Sequence, residues 1–285
     1  MMLKKIDKIK WIGIFFLLSG IALVFLHKYP KDWPFNYLIA NFYANFSAEF
    51  ISIAITILLI DYLYEVKENN SLKQRLIREL GSEEKGLTSR AVKELREKGW
   101  LQDGTLKNAD FNNANLSNLN LSGANLEGVN LENADLSNSN LSNSILIKAN
   151  LTKSKLLKAN LENFNLTNAK IHSSNLYDSI LNKVKGTNVD FMNSNLELAE
   201  ISDAQFETCK FEDANLTLTT LTRSKFISCN LLRADIHSSN IKKTVFERCD
   251  IKGIQNWKDV SHRDNDSFLA PQNIPDGFLD FTISI

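Results

Sequence analysis

Ala109-Asp110-Phe111-Asn112-Asn113, Ala114-Asn115-Leu116-Ser117-Asn118 and Leu119-Asn120-Leu121-Ser122-Gly123 open a repeat of five. It runs without insertion to Cys249-Asp250-Ile251-Lys252-Gly253, giving 145 residues or 29 pentads. The third residue of each pentad, its centre, is Leu 17 times, Phe six times, Ile five times and Gly once, at Gly186. Two residues before the centre stands mostly Ala, Ser, Cys, Thr or Val, and between the two usually Asn, Asp or Lys. Small, polar, large reads as in, out, in along three residues of extended chain. The last two positions are rich in Ser, Asn and Gly, which turn a chain. A chain that repeats strand and corner must coil and stack parallel strands, with right-handed connections.

The irregular residues give the number of corners. Phe206, Phe226 and Phe246 are centres spaced by 20, and so are Cys209, Cys229 and Cys249 at the small inward position. Bulky or unusual residues stack on their like, because the core cross-section must match from coil to coil. Twenty residues per coil means four sides, and 29 pentads then make about seven coils, roughly 35 Å tall. Gly186 leaves a gap between Leu166 and Phe206 on one side, and Phe164, the aromatic at a small inward position, is expected to help fill it.

This A(D/N)LXX pattern closely resembles the pentapeptide-repeat family over about half the chain. The resemblance implies a mainly β fold, a right-handed quadrilateral parallel β-helix. It also brings a function to weigh, since some members resemble DNA in shape and charge and bind DNA gyrase. That mimicry needs a strongly acidic column, whereas this repeat holds 16 Asp/Glu and 15 Lys/Arg. A gyrase-binding DNA mimic is therefore a minor alternative, and nucleic acid is not an expected partner.

The N-terminal sequence is of another kind. Lys4, Lys5, Lys8 and Lys10 precede Trp11 to Leu26, sixteen residues without a charge. A signal peptide opens in the same way, but the run ends in His27-Lys28-Tyr29-Pro30-Lys31 with no small-residue cleavage site, which favours a retained anchor. Asp32-Trp33-Pro34 reads as a helix start, and Phe35 to Tyr64 as a second apolar span. Trp33, Tyr37 and Tyr43 suit one membrane interface, and Tyr62 and Tyr64 the other. The expected organisation is a transmembrane helical hairpin over 1–64, a short helical stalk and cap over 65–103, the β-helix over 104–253 and a C-terminal cap over 254–285. Lys and Arg flank both outer ends, with Lys67, Lys73, Arg75 and Arg78 after the second helix and only Lys28 and Lys31 in the loop. This predicts a multi-pass protein of the inner cell membrane with its N-terminus and repeat in the cytoplasm.

In the stalk, Leu72, Leu76 and Leu80 share a face and Gly81 ends the helix. Thr88 or Ser89 is expected to cap a second helix, Arg90 to Lys98, closed by Gly99. An exposed β-helix end needs cover. Trp100, Leu101 and Leu106 serve one end, and Trp257, Phe268, Leu269 and Phe278 the other. His262 to Ser267 reads as a polar turn, since it lacks the glycine of a calcium loop.

No catalytic motif, phosphate loop or dinucleotide fingerprint is present. His27, His172, His237 and His262 are far apart in sequence, and the three cysteines read as buried free thiols. No enzyme activity, cofactor or metal is expected. Charge runs in bands: net +5 over Lys148–Lys185, −6 over Asp190–Asp213 and +4 over Arg223–Lys252. These bands read either as a mixed solvated surface or as a dock for a complementary protein. On the second apolar helix Asn41, Asn45, Glu49, Ser52 and Thr56 fall on one stripe about 80° wide. A carboxylate at that depth faces a bundle interior or a water path, or it snorkels to the interface or is protonated and bonded to the first helix. The sequence thus predicts a membrane-tethered, non-enzymatic scaffold for an unknown protein partner. The alternative is an oligomeric, channel-like membrane effector, with homo-oligomer contacts through the membrane helices.

Overall fold

The computed structural model describes residues 3–26, 36–256 and 268–269. The chain divides into two compact units, Met1–Leu72 and Lys73–Ile285. In the first, α1 (Leu3–Leu26) packs on the start of α2 (Asn36–Leu80). The contacts descend one helix as they climb the other. Lys10 meets Asp61 and Glu65, Gly13 meets Ile57 and Leu58, and Gly20 meets Ile51. The pair is therefore antiparallel.

The second unit is a four-sided coil. Parallel bridges link residues 20 apart on every side, from Asp110↔Asn130 to Asp235↔Gln255. All 28 non-glycine centres are buried. Each centre donates its N–H to the coil above, as Phe111 does to the Asn130 carbonyl at 2.7 Å, and Asn130 N–H returns to Ala109 at 2.9 Å. The corner has one rule throughout. From Asn108 to Gly253, the second residue after each centre has a φ of 52–70°. This left-handed region is cheap for Gly and Asn and costly for other side chains. It explains the abundance of Asn at the corner, with Asn108, Asn113, Asn118, Asn133 and Asn138 among the first.

The polar residue before the centre has a second task besides facing water. Its side-chain oxygen accepts the N–H two residues on, as from Asn112 to Asp110 at 3.1 Å and from Ser137 to Asp135 at 2.9 Å. Asn and Asp are the residues that make this local turn. One side lacks them in its upper coils, where Lys185, Gln205, Lys225 and Val245 take the place. There the chain stays extended for three residues, as β1 (Lys185–Thr187), β2 (Gln205–Glu207), β3 (Lys225–Ile227) and β4 (Val245–Glu247). β5 (Phe268–Leu269) pairs parallel with β4. Trp257, Phe278 and the His262–Ser267 turn lie outside the described residues.

Two phenylalanine stacks fill the upper core. Phe206, Phe226 and Phe246 stack with centroids 5.2 and 5.1 Å apart. Phe191 and Phe211, a second pair spaced by 20, stack at 4.8 Å on the adjoining side and meet the first edge-on. Gly186 pairs with Phe206 as its register requires. Phe164 is buried, and the three nearest atoms to a Cβ built on Gly186 belong to Val189 and Phe206, the closest at 2.9 Å.

Two helix boundaries also differ from the sequence reading. α2 runs unbroken from the apolar stretch to Leu80, so no separate stalk helix begins near residue 65. α3 spans Lys85–Glu97 and starts earlier than Arg90. Thr88 does not cap it; it lies buried inside the helix and donates to the Asn115 carbonyl at 2.7 Å. Arg96 reaches the Asn120 carbonyl, Ser82 the Asn115 N–H and Leu101 the Asn125 N–H. The first coil thus finds partners for an edge that would otherwise be open. Leu76, Leu80, Leu95, Leu101 and Leu106 are fully or almost fully buried in this cap. Gly99, with φ +72°, closes α3 as expected.

Two measurements check this account. Phe226→Ala should cost about 3–5 kcal/mol as a core truncation, read from denaturant unfolding; a loss below about 1 kcal/mol would show the stack unpacked. Leu218 is exposed at a corner with φ +57°, so Leu218→Asn should stabilise by about 0.5–1 kcal/mol through relief of left-handed strain. A destabilised variant would contradict that.

Candidate functional site

The column places its outward side chains in vertical files, one residue per coil. The charge bands of the sequence meet across these files. Arg223 makes a two-pronged pair with Asp203 at 2.7 and 2.6 Å, and Arg233 does the same with Asp213. In each case the partners are 20 residues apart. Lower down, Lys183 pairs with Glu162 at 2.9 Å and Lys158 with Asp178 at 3.6 Å. The acidic band and the upper basic band are therefore partly spent on each other. Lys153, Lys155 and Lys170 are among the lysines of the lower basic band that make no ion pair among the described residues.

Hydrogen bonds from the two arginines hold the Asp203 and Asp213 carboxyls below the ordinary aspartate value of 3.8. Groups with lowered folded values contribute stability that is present above the unfolded value and lost as pH falls through the folded one. Acid unfolding of the column should therefore draw on these pairs only below about pH 4. Replacing both Arg223 and Arg233 by Ala should lower stability at neutral pH but not below the carboxylate range, and so flatten the acid dependence. An unaltered acid profile in the double variant would remove the pairs from the account.

An open groove of about 310 Å³ lies on the side with three extended residues per coil, walled by Lys185, Gln205 and Lys225 opposite Thr187, Glu207 and Ile227. The sequence reading missed it; it lies where these pentads stay extended for three residues instead of turning. The three cysteines are free and buried. Their thiols donate along the column, Cys249 to the Phe226 carbonyl at 3.1 Å and Cys209 to the Gly186 carbonyl at 3.3 Å. The neighbouring thiols Cys209 and Cys249, with burial, push Cys229 far up, out of the reactive range. His172 and His237 sit at corner positions on different sides, and among the described residues no cluster of His, Cys, Asp and Glu could hold a metal.

In the first unit, the seam between α1 and α2 has a period of seven. Gly13 and Gly20 are buried on one helix, and Ser47, Ala54 and Asp61 on the other. Small residues let the backbones approach closely, and a Cβ on Gly20 would come within 2.7 Å of Ile51. Asp61, buried in the seam, has Lys10 at 3.7 Å. The stripe lies elsewhere. Asn45, Glu49, Ser52 and Thr56 are all exposed, on the face of α2 away from α1. Thr56 returns its hydroxyl to the Ser52 carbonyl at 2.9 Å; the side chain of Asn41 lies outside the described residues. The sequence reading overlooked Asp61, although the spacing of Ser47, Ala54 and Asp61 was there to be read. Among the described residues, one helix, over Asn45–Leu80, is long and apolar enough to cross a membrane by length and hydropathy, and Ile9–Val24 forms a shorter apolar stretch.

Comparison with known proteins adds the following. A family model described as pentapeptide repeats (8 copies) matches residues 105–143 and 144–182, and one described as a pentapeptide repeat region matches 180–256. No curated protein matches. Among solved structures, a trypsin-treated form of QnrB1, a plasmid-mediated fluoroquinolone resistance protein, is 12% identical over 63% of this chain and 92% of its own, with a TM-score of 0.29. The pentapeptide repeat protein Rfr23 from the cyanobacterium Cyanothece 51142 is 21% identical over 38% of this chain and 88% of its own, with a TM-score of 0.23. A pentapeptide repeat protein from the thylakoid lumen of Arabidopsis thaliana is 18% identical over 49% and 69%, with a TM-score of 0.16.

Proposed function

Since the chain belongs to the pentapeptide-repeat family, we propose that it is a membrane-tethered, non-enzymatic scaffold that presents its β-helix to a protein partner in the cytoplasm. The observation that carries this reading is the combination, in one chain, of a long apolar helix with a column of fixed surface files. The apolar part of α2 exposes Ile53, Ile55, Leu59, Ile60 and Leu63, a band of side chains suited to lipid. The column offers no side chains gathered for chemistry among its described residues. It offers a stiff surface, with a groove and lysines that make no ion pair among the described residues, on which a partner's complementary charges can register.

The second reading is an oligomeric, channel-like effector. The exposed polar stripe favours it, because such a stripe suits a protein or water contact better than lipid. The near balance of charge along the repeat speaks against a DNA mimic for gyrase. Conductance separates the two main readings: a scaffold leaves the membrane tight when overexpressed, whereas a channel-like effector makes it leak and loses the effect in Glu49→Leu.

The tether and its orientation have their own test. The three native thiols are buried, so an impermeant thiol reagent applied to intact cells reports on introduced cysteines alone. It should label Asp32→Cys and spare Asn69→Cys. The reverse pattern would overturn the cytoplasmic placement of the column.

A further inference from the structure

We propose that the exposed stripe of Asn45, Glu49, Ser52 and Thr56 is the contact by which a second copy of this chain docks against α2 within the membrane. This rests on the tether reading above. Three observations lead to it. The first is depth. Glu49 stands 12 residues before Asp61 on one continuous helix, about 18 Å along the axis, with no other charged residue between them. Tyr43 stands six residues before it, about 9 Å along the axis, so Glu49 lies within the apolar stretch, nearer its Tyr43 end.

The second is the contrast with Asp61. Asp61 is also a carboxylate on this helix, but it is buried in the seam with Lys10 nearby. Glu49 faces outward and has no hydrogen bond or ion pair among the described residues. The hairpin therefore gives Asp61 a cation and, among the described residues, gives Glu49 none. α1 cannot help, because its contacts lie on the opposite face of α2. Between Ile9 and Val24 its one uncharged polar side chain is Ser19.

The third is the chemistry of the stripe itself, which identifies the occupant. Asn45 and Ser52 carry donors, and Glu49 lies between them as the acceptor. They stand about 6 and 4.5 Å from it along the axis, one turn to either side. In a two-fold pair of such parallel stripes the two Glu49 carboxyls meet at one depth; one, protonated, donates its O–H to the other carboxylate, and the Asn45 and Ser52 donors of both copies flank the pair. The face is self-complementary, as a closed two-fold contact requires. A lipid tail offers no donor at this depth.

The test uses the full chain in lipid bilayers. Ser52→Cys and Ile53→Cys place thiols at neighbouring depths, both exposed, about 100° apart round the helix. Cross-linking between copies should be strong for Ser52→Cys and weak for Ile53→Cys. Asn45→Leu combined with Glu49→Leu should raise the dimer dissociation constant by roughly tenfold or more, as read by energy transfer between labelled copies, while the chain resists extraction by carbonate. Equal cross-linking at both sites, or a wild-type chain that stays monomeric in the bilayer, overturns the stripe proposal and leaves the tether standing. A chain that carbonate strips from the membrane overturns the tether, and the stripe contact with it.

Discussion

Every coil of this protein depends on one residue in five adopting a left-handed backbone. The turn at that residue aims the chain along the next side, and a single missed corner would break the pairing of everything above it. The positions are so regular that the conformation is held even where the side chain resists it. Leu198, Leu218 and Thr208 adopt φ values of 61°, 57° and 53°, where a branched or bulky side chain is strained. Inter-coil hydrogen bonds at 2.6–3.0 Å on both sides of the corner supply the restraint, as from Leu218 N–H to the His237 carbonyl and from Thr208 N–H to the Ile227 carbonyl. The architecture thus overrides local preference by repetition.

The column was legible in the sequence because each rule appears many times. The spacing of Phe206, Phe226 and Phe246 was enough to count four sides, and the bridges between residues 20 apart agree. Less was legible where a rule appears once. Gly186 announced a gap, but that Val189 lies nearest to it was not readable from spacing. The start of α3 was misplaced because Thr88 looked like a cap; its hydroxyl instead bonds the Asn115 carbonyl, a partner 27 residues away. The groove beside Lys185 and Lys225 was invisible too, because loss of Asn or Asp before the centre does not by itself open the turn: Ile180, Glu200 and Thr220 lack it and keep theirs.

The candidate site was legible in part. The stripe on α2 could be drawn on a helical wheel from spacing alone, but which face met α1 could not. The answer turned on Gly13, Gly20, Ser47, Ala54 and Asp61, whose period of seven marks close packing. The seam keeps its own charge, Asp61, near a cation on the other helix. The charged column uses a similar economy, with Asp203 and Asp213 each held by an arginine one coil on. In both units, opposite charges are settled within the chain where geometry allows. Charged groups without an ion pair among the described residues, Glu49 in one and Lys153, Lys155 and Lys170 among others in the second, remain for contacts outside the chain.

The register of 20 has a consequence for how such a chain can change length. Losing one pentad would keep every centre inside but turn all later coils by a quarter. Arg223 would then stand over a different file from Asp203, and the faces of the column would be reshuffled. Losing four pentads would shorten the column by one storey and leave each face continuous. Insertions and deletions in units of 20 residues are therefore neutral to the pattern that a partner reads, while units of five rewrite it without unfolding the protein. The β-helix is in this sense a surface that can be re-indexed, with the core as the invariant.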